Sequence, residues 1–310
     1  METILQWGLD FIRQVQSFAS PSLTAIMRVI TWFGGMTMYL ILLPLVCWCI
    51  DEKKGFRLGV VILISFWINI TLKFLFDQPR PFFEGYDPSV GIISERLAGL
   101  PSGHAQNTLV VFLIIASWVN KRWAYACAIL LSLLVGFSRI YLGVHFPTDV
   151  AAGWILGAVV LCVYFLFSDK IEALLVKGGF RACMIANAVV SFLMILYLPS
   201  EEHLLFGGAM LGFGAGYCLN RRYVGFSCNA SPHRKGADKY LALSVRFLLG
   251  VTALMLIFTF MGKILPKDSA NQNLFGFIRY ALGGIWVTAA APWVFIKLRL
   301  AGTELTNNAR

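Results

Sequence analysis

The sequence predicts an all-α protein, a polytopic bundle of transmembrane helices. Of its 310 residues 58% are hydrophobic and only 14% are charged. Mean hydropathy is +0.72, more apolar surface than a water-soluble chain can hide. The apolar residues collect into runs long enough to cross a bilayer, which takes roughly 20 residues of helix. Barrel strands would instead show short alternating segments, and the sequence has none.

Residues 4–18 place Ile4, Leu5, Gly8, Leu9, Ile12, Val15 and Phe18 at helical spacing, with Gln, Asp and Arg between them. Residues 1–22 are expected to form an amphipathic helix lying in the membrane interface, or packing against the bundle. Glu2, Asp10 and the absence of a basic leader argue against a signal peptide. Apolar runs follow at about 23–50, 58–76, 104–119, 123–138 and 150–168, then at 182–198, 204–220, 241–262 and 276–296. Gly34-Gly35 is an expected kink in the first. The count is about nine spans. Residues 23–168 hold the chemistry described below, and 169–310 are additional C-terminal helices. There Gly208, Gly212 and Gly216 form a small-residue stripe that lets helices approach closely. The segment Ser227 to Lys239 reads as a polar, basic loop.

Loop charge sets orientation. Lys53, Lys54, Arg57, Lys121, Arg122, Lys170, Lys177, Arg181, Arg221 and Arg222 fall on one side, with Arg234, Lys235, Lys239, Lys297 and Arg299. The other side holds Arg13, Lys263, Lys267 and Arg279 outside the motifs. The richer side is expected to be cytoplasmic. The N-terminus then faces outward and the C-terminus the cytoplasm. In this setting the net charge of +10 reflects orientation and attraction to anionic membrane lipids, and nucleic acid is not an expected partner. The seven cysteines lie mostly in apolar runs without a companion His cluster. They read as buried thiols, and no metal or other cofactor is expected. His203 and His233 read as loop residues. Oligomeric state is not legible.

Three stretches concentrate the chemistry: Lys73 to Arg80-Pro81, Pro101-Ser102-Gly103-His104, and Ser138-Arg139 with His145 and Asp149. All fall on the expected outer side, at the ends of apolar runs, where clustered charge suggests function. Lys73, Arg80 and Arg139 are candidate phosphate cations; a guanidinium can grip two phosphate oxygens at once. Ser102 would cap the third span, Gly103 would let backbone approach a ligand, and the free N–H groups there suit an anion. Asp149, four residues after His145, can hold the Nδ1–H and leave Nε2 free to attack phosphorus. His104 is the candidate acid for the leaving oxygen and the base for water. Taken singly, the Lys and Arg could be membrane anchors and Ser102 a plain cap.

These motifs resemble the signature of the type 2 phosphatidic acid phosphatase superfamily: Lys-x6-Arg-Pro, Pro-Ser-Gly-His and Ser-Arg-x5-His-x3-Asp. The resemblance covers about half the chain. It implies a helical bundle and metal-independent hydrolysis of a phosphomonoester or diphosphate through phosphohistidine. It also implies phosphate binding by Lys73, Arg80, Ser102, Gly103 and Arg139, with His104 as acid, His145 as nucleophile and Asp149 as its partner. The outward N-terminus and extra C-terminal spans look more like the glucose-6-phosphatase and sphingosine-phosphate phosphatase branches.

The expected function is therefore a membrane hydrolase acting on a lipid phosphate at the extracytoplasmic face. A phosphotransferase using the same phosphohistidine is the alternative, and a transporter or binding protein a remote one. The loop from Phe82 to Leu100, mixing Phe82, Phe83, Ile92, Ile93 and Leu97 with Glu84, Asp87 and Glu95, reads as packed external structure or as a cover admitting a lipid.

Overall fold

The computed structural model describes residues 2–83, 85–197, 200–228, 236–264 and 271–304. Helix dominates, and the described strands are two residues each: Phe226–Ser227 pairs antiparallel with Gly302–Thr303. The helices are α1 Glu2–Gln16, α2 Pro21–Trp32, α3 Met36–Leu45, α4 Glu52–Phe76, α5 Gly103–Val119 and α6 Arg122–Tyr141. They continue with α7 Pro147–Leu196, α8 Glu201–Leu219, α9 Ala237–Ile264, α10 Gln272–Ile285 and α11 Ala291–Lys297. Single π-helical turns follow α3, α8 and α10.

Among the described residues, five helices can cross a membrane by length and composition, or six if α2 and α3 count as one broken span. The nine expected runs distribute differently. Two of them fall within α7, which Gly179, non-helical at φ 69°, divides into two helical segments. α5 is apolar but only 17 residues long. The first run does break at Gly34-Gly35, between α2 and α3.

The chain packs as two compact units: residues 1–38 with 64–166, and residues 39–63 with 167–310. The three motifs lie in the first unit. In it, α1 buries Leu5, Leu9 and Ile12 against Phe146, Val150, Ile140 and Ala105, while Ile4 and Trp7 stay exposed. α2 starts where sequence chemistry places a helix start: the Ser20 hydroxyl accepts from Leu23 N at 3.2 Å, and Pro21 needs no hydrogen-bond partner for its nitrogen. Phe82, Ile92 and Ile93 of the 82–100 loop pack against Tyr141, Leu142 and Val144. Arg13 pairs with Asp87 at 2.7 Å, so the loop is fastened to α1 as well.

In the second unit the glycine stripe of α8 meets α10. A Cβ at Gly208 would strike the Phe277 carbonyl, one at Gly212 the Ala281 carbonyl, and one at Gly216 the Thr288 hydroxyl. Backbone-to-backbone approach of this kind needs glycine, as the spacing predicted. Two sequence readings are corrected here. Cys183 of α7 and Cys218 of α8 form a disulfide, so they are not free thiols. The two positions come together only when α7 and α8 pack side by side. His203 is not a loop residue: it is buried in the first turn of α8, with its Nδ1 2.8 Å from the Ser200 hydroxyl. His233 and residues 229–235 of the basic loop lie outside the described residues.

Candidate active site

Four helix ends build the site: the C-termini of α4 and α6 and the N-termini of α5 and α7. Consecutive helices run in opposite directions, so motifs far apart in sequence arrive at one end of the first unit. The turn from α6 into α7 carries Gly143 at φ 69°, where a Cβ would collide with the Val90 carbonyl. That turn sets His145 at the entry to α7, which opens on Pro147.

His145 and Asp149 are 2% and 0% exposed, leaving little water to compete with their pairing. His145 Nδ1 lies 3.2 Å from Asp149 Oδ2. The carboxylate is fixed on two further sides, by Phe146 N at 3.0 Å to Oδ2 and by Gln78 Nε2 at 2.7 Å to Oδ1. On its far side the imidazole meets Arg80 Nη1, 3.3 Å from Nε2. A guanidinium has only donors, so Nε2 must accept and Nδ1 must carry the proton toward Asp149. Burial first, and then the charges of Arg80, Lys73 and Arg139, hold His145 well below the usual imidazole range. It is neutral at pH 7.

The three cations are buried beside it. Lys73 Nζ donates to the carbonyls of Ala98 at 2.5 Å and Gly99 at 2.9 Å. Arg80 donates to the Leu97 carbonyl at 2.5 Å and the Val144 carbonyl at 2.8 Å. Burial lowers its pKa to about 10, which leaves it charged. Arg139 donates to Thr31 Oγ1 at 2.9 Å and is in close contact with Glu95, while its Nε has no hydrogen-bond partner. His104, in the first turn of α5, is within electrostatic range of Arg139, Arg80, Lys73 and His145.

Ser102 is the residue capping α5, as expected, yet its hydroxyl makes no capping bond. Its Oγ is buried without a hydrogen-bond partner. Leaving a buried hydroxyl unpaired costs about 1–3 kcal/mol, so the position is suited to a ligand that accepts or donates there. The turn is held from below: Asn69 Nδ2 donates to Pro101 O at 3.3 Å and to Gln106 Oε1 at 2.7 Å. Gln106 in turn donates to Ser65 O at 2.9 Å. Gly103 is required by this packing, because a Cβ would stand 2.9 Å from Asn69 Oδ1.

All eight residues picked from the sequence thus lie in one unit, at the converging ends of its helices. Three neighbours were not picked: Gln78, Glu95 and Thr31. Gln78 sits inside the first motif, and its place before Pro79 carried no chemical signal by itself. Among the described residues there is no group of three or more His, Cys, Asp or Glu able to hold a metal.

Residues 54–172 match the model of the PAP2 superfamily, and residues 204–303 match that of the PAP2 superfamily phosphatase transmembrane extension. The chain is 34% identical to an undecaprenyl-diphosphatase of Sulfolobus acidocaldarius, over 51% of this chain and 76% of that protein. The chain belongs to the PAP2 superfamily. It is 22% identical to lipid phosphate phosphatase delta of Arabidopsis thaliana, over 84% of this chain and 67% of the relative. Among solved structures, a PAP2-type phosphatidylglycerolphosphate phosphatase from Bacillus subtilis is similar, with TM-score 0.49 and 26% identity, covering 55% of this chain and 89% of the other. Membership makes this chain a membrane phosphatase, and the transmembrane-extension match spans the region of α8 to α11.

Proposed function

We propose that the protein removes the terminal phosphate of a lipid phosphate or diphosphate through a phosphohistidine on His145, without a metal, at the extracytoplasmic face. The observation that carries this reading is the state of His145. Its proton is held by Asp149, and its Nε2 lone pair turns toward Arg80 among three buried cations.

The steps follow from that arrangement. Lys73, Arg80, Arg139, the Ser102 hydroxyl and the amide at Gly103 bind the phosphoryl oxygens. Arg80 turns from Nε2 to the phosphate as substrate enters. Nε2 forms a bond to phosphorus while the bond to the lipid oxygen breaks, and His104, which takes up a proton when the phosphate's negative charge binds beside it, gives that proton to the oxygen. Water then attacks phosphorus, His104 takes the water's proton, and the N–P bond breaks to release inorganic phosphate and neutral His145. Asp149 stabilises the imidazolium character that develops at His145. The fixed cations stabilise the charge of the five-coordinate transition state, as metal ions do in other phosphoryl transfers.

A lipid substrate is supported by the membrane setting and by relatives named for undecaprenyl diphosphate and lipid phosphates. The excess of Lys and Arg in the loops opposite the motifs supports an extracytoplasmic site, and nine crossings are the count consistent with that charge pattern. The test is a panel of lipid phosphates and diphosphates with purified protein, reading inorganic phosphate. Release resistant to EDTA and abolished by His145→Ala is expected. Full activity in that variant would remove His145 as nucleophile.

A further inference from the structure

Glu95 is an anion lodged among cations. Of its carboxylate oxygens, Oε1 is in close contact with Arg139 Nη2, and Oε2 lies 3.9 Å from Arg80 Nη2. One carboxylate thereby bridges two guanidinium groups that the reading above assigns to phosphate. The arginine side chains are 2–3% exposed, while that of Glu95 is 32% exposed. Two buried guanidiniums side by side repel each other, and an anion between them relieves that cost. The arginines are almost fully covered, whereas the glutamate side chain reaches water.

Glu95 lies between two anchored points of the loop: Ile92, whose N–H donates to Leu142 O at 3.1 Å, and Leu97, whose carbonyl accepts from Arg80. Arg139 Nε and the Ser102 hydroxyl, both buried without a hydrogen-bond partner, are among the groups that the reading above directs at phosphate. We propose that Glu95 is the resident anion of the phosphate site, holding Arg80 and Arg139 together in the free enzyme and swinging into water when a phosphoryl group takes its place.

This proposal rests on the assignment of Arg80 and Arg139 to phosphate. Glu95 then competes with substrate on entry and with inorganic phosphate on exit. Apparent phosphate affinity is the intrinsic affinity reduced by the fraction of enzyme in which Glu95 is already displaced. Removing the charge removes that reduction and slows product release.

The experiment uses the full chain and inorganic phosphate as probe, in wild type, Glu95→Gln and Glu95→Ala. Direct phosphate binding is measured beside inhibition of lipid-phosphate turnover. Both variants are expected to bind phosphate about tenfold more tightly, consistent with relief of such a competing state. Mere damage to the loop would weaken binding, so tightening separates the two. Unchanged or weaker binding in both variants overturns the role of Glu95 while leaving the site assignment standing. A wild-type protein that neither binds phosphate nor releases it from lipids removes the assignment and this proposal together.

Discussion

At the scale of single residues, the proposed chemistry turns on His145, which Asp149 orients while Phe146 N and Gln78 hold that carboxylate in place. Burial disfavours its charged form, and Arg80, Lys73 and Arg139 add repulsion, so its proton affinity falls below the ordinary value of about 6.5. The sign of the consequence is definite. A nucleophile that must be unprotonated stays competent as pH falls through 6.5, and loses competence only at more acid pH. The acid limb of kcat/KM, after allowing for titration of the substrate's own phosphate, is expected well below pH 6.5; a limb at or above that value would contradict the placement. The same lowered affinity means the unfolded chain binds a proton that the folded chain refuses, so stability contributed by neutral His145 is lost as pH drops below about 6.5. The three motifs were legible in the sequence because three cations, two His and an Asp gather at the ends of apolar runs, a combination that membrane anchoring alone does not call for. Gln78 and Glu95 were not, because a glutamine and a loop glutamate acquire meaning only from what they touch: Asp149 Oδ1 in one case and Arg139 in the other.

At the scale of elements, the start of α5 is held by packing from two helices. Asn69 of α4 supports it through Pro101 O and Gln106. On its other side α7 brings Gly153 so close that a Cβ there would stand 2.5 Å from Ser102 O. Placing Leu at 153 therefore forces α7 away from the Ser102-Gly103-His104 turn, and the two halves of the site separate. Gly153→Leu is expected to lower kcat at least about a hundredfold, the order of loss that a displacement of about 1 Å produces in positioned chemistry. Gly153→Ala should lose less. Phosphate release by detergent-purified variants with matched helical content checks this; near-normal kcat in Gly153→Leu would show that the close approach is dispensable. The helices themselves were readable from the apolar runs; the Ser20-Pro21 start of α2, inside the segment read as one interfacial helix, was not. Gly179, with φ 69°, separates residues 147–196 into two helices, in line with the two apolar runs that the hydropathy pattern divides there. The Cys183–Cys218 pairing was equally invisible, since it depends on the register of α7 against α8.

At the scale of the whole molecule, the open quantity is which compartment the motif-bearing ends face, and loop charge supplies the argument. Lys121 and Arg122 join α5 to α6 at the ends remote from Ser102 and Arg139, and Lys53 and Lys54 open α4 at the end remote from Lys73. Cationic loops resist translocation, so on the orientation proposed above these ends stay in the cytoplasm and the motif ends cross. In a background whose native cysteines do not react with the reagent, a cysteine placed at exposed Ser89 is expected to label in intact cells with an impermeant maleimide. One placed at exposed Lys121 should label only after permeabilisation. The reverse pattern would put the site in the cytoplasm, and labelling of both from one side would break the alternation of α5 between them. Because both positions flank helices of a single compact unit, the result depends on the crossing of α5 rather than on the full span count. It thereby decides which leaflet must deliver the lipid phosphate to His145.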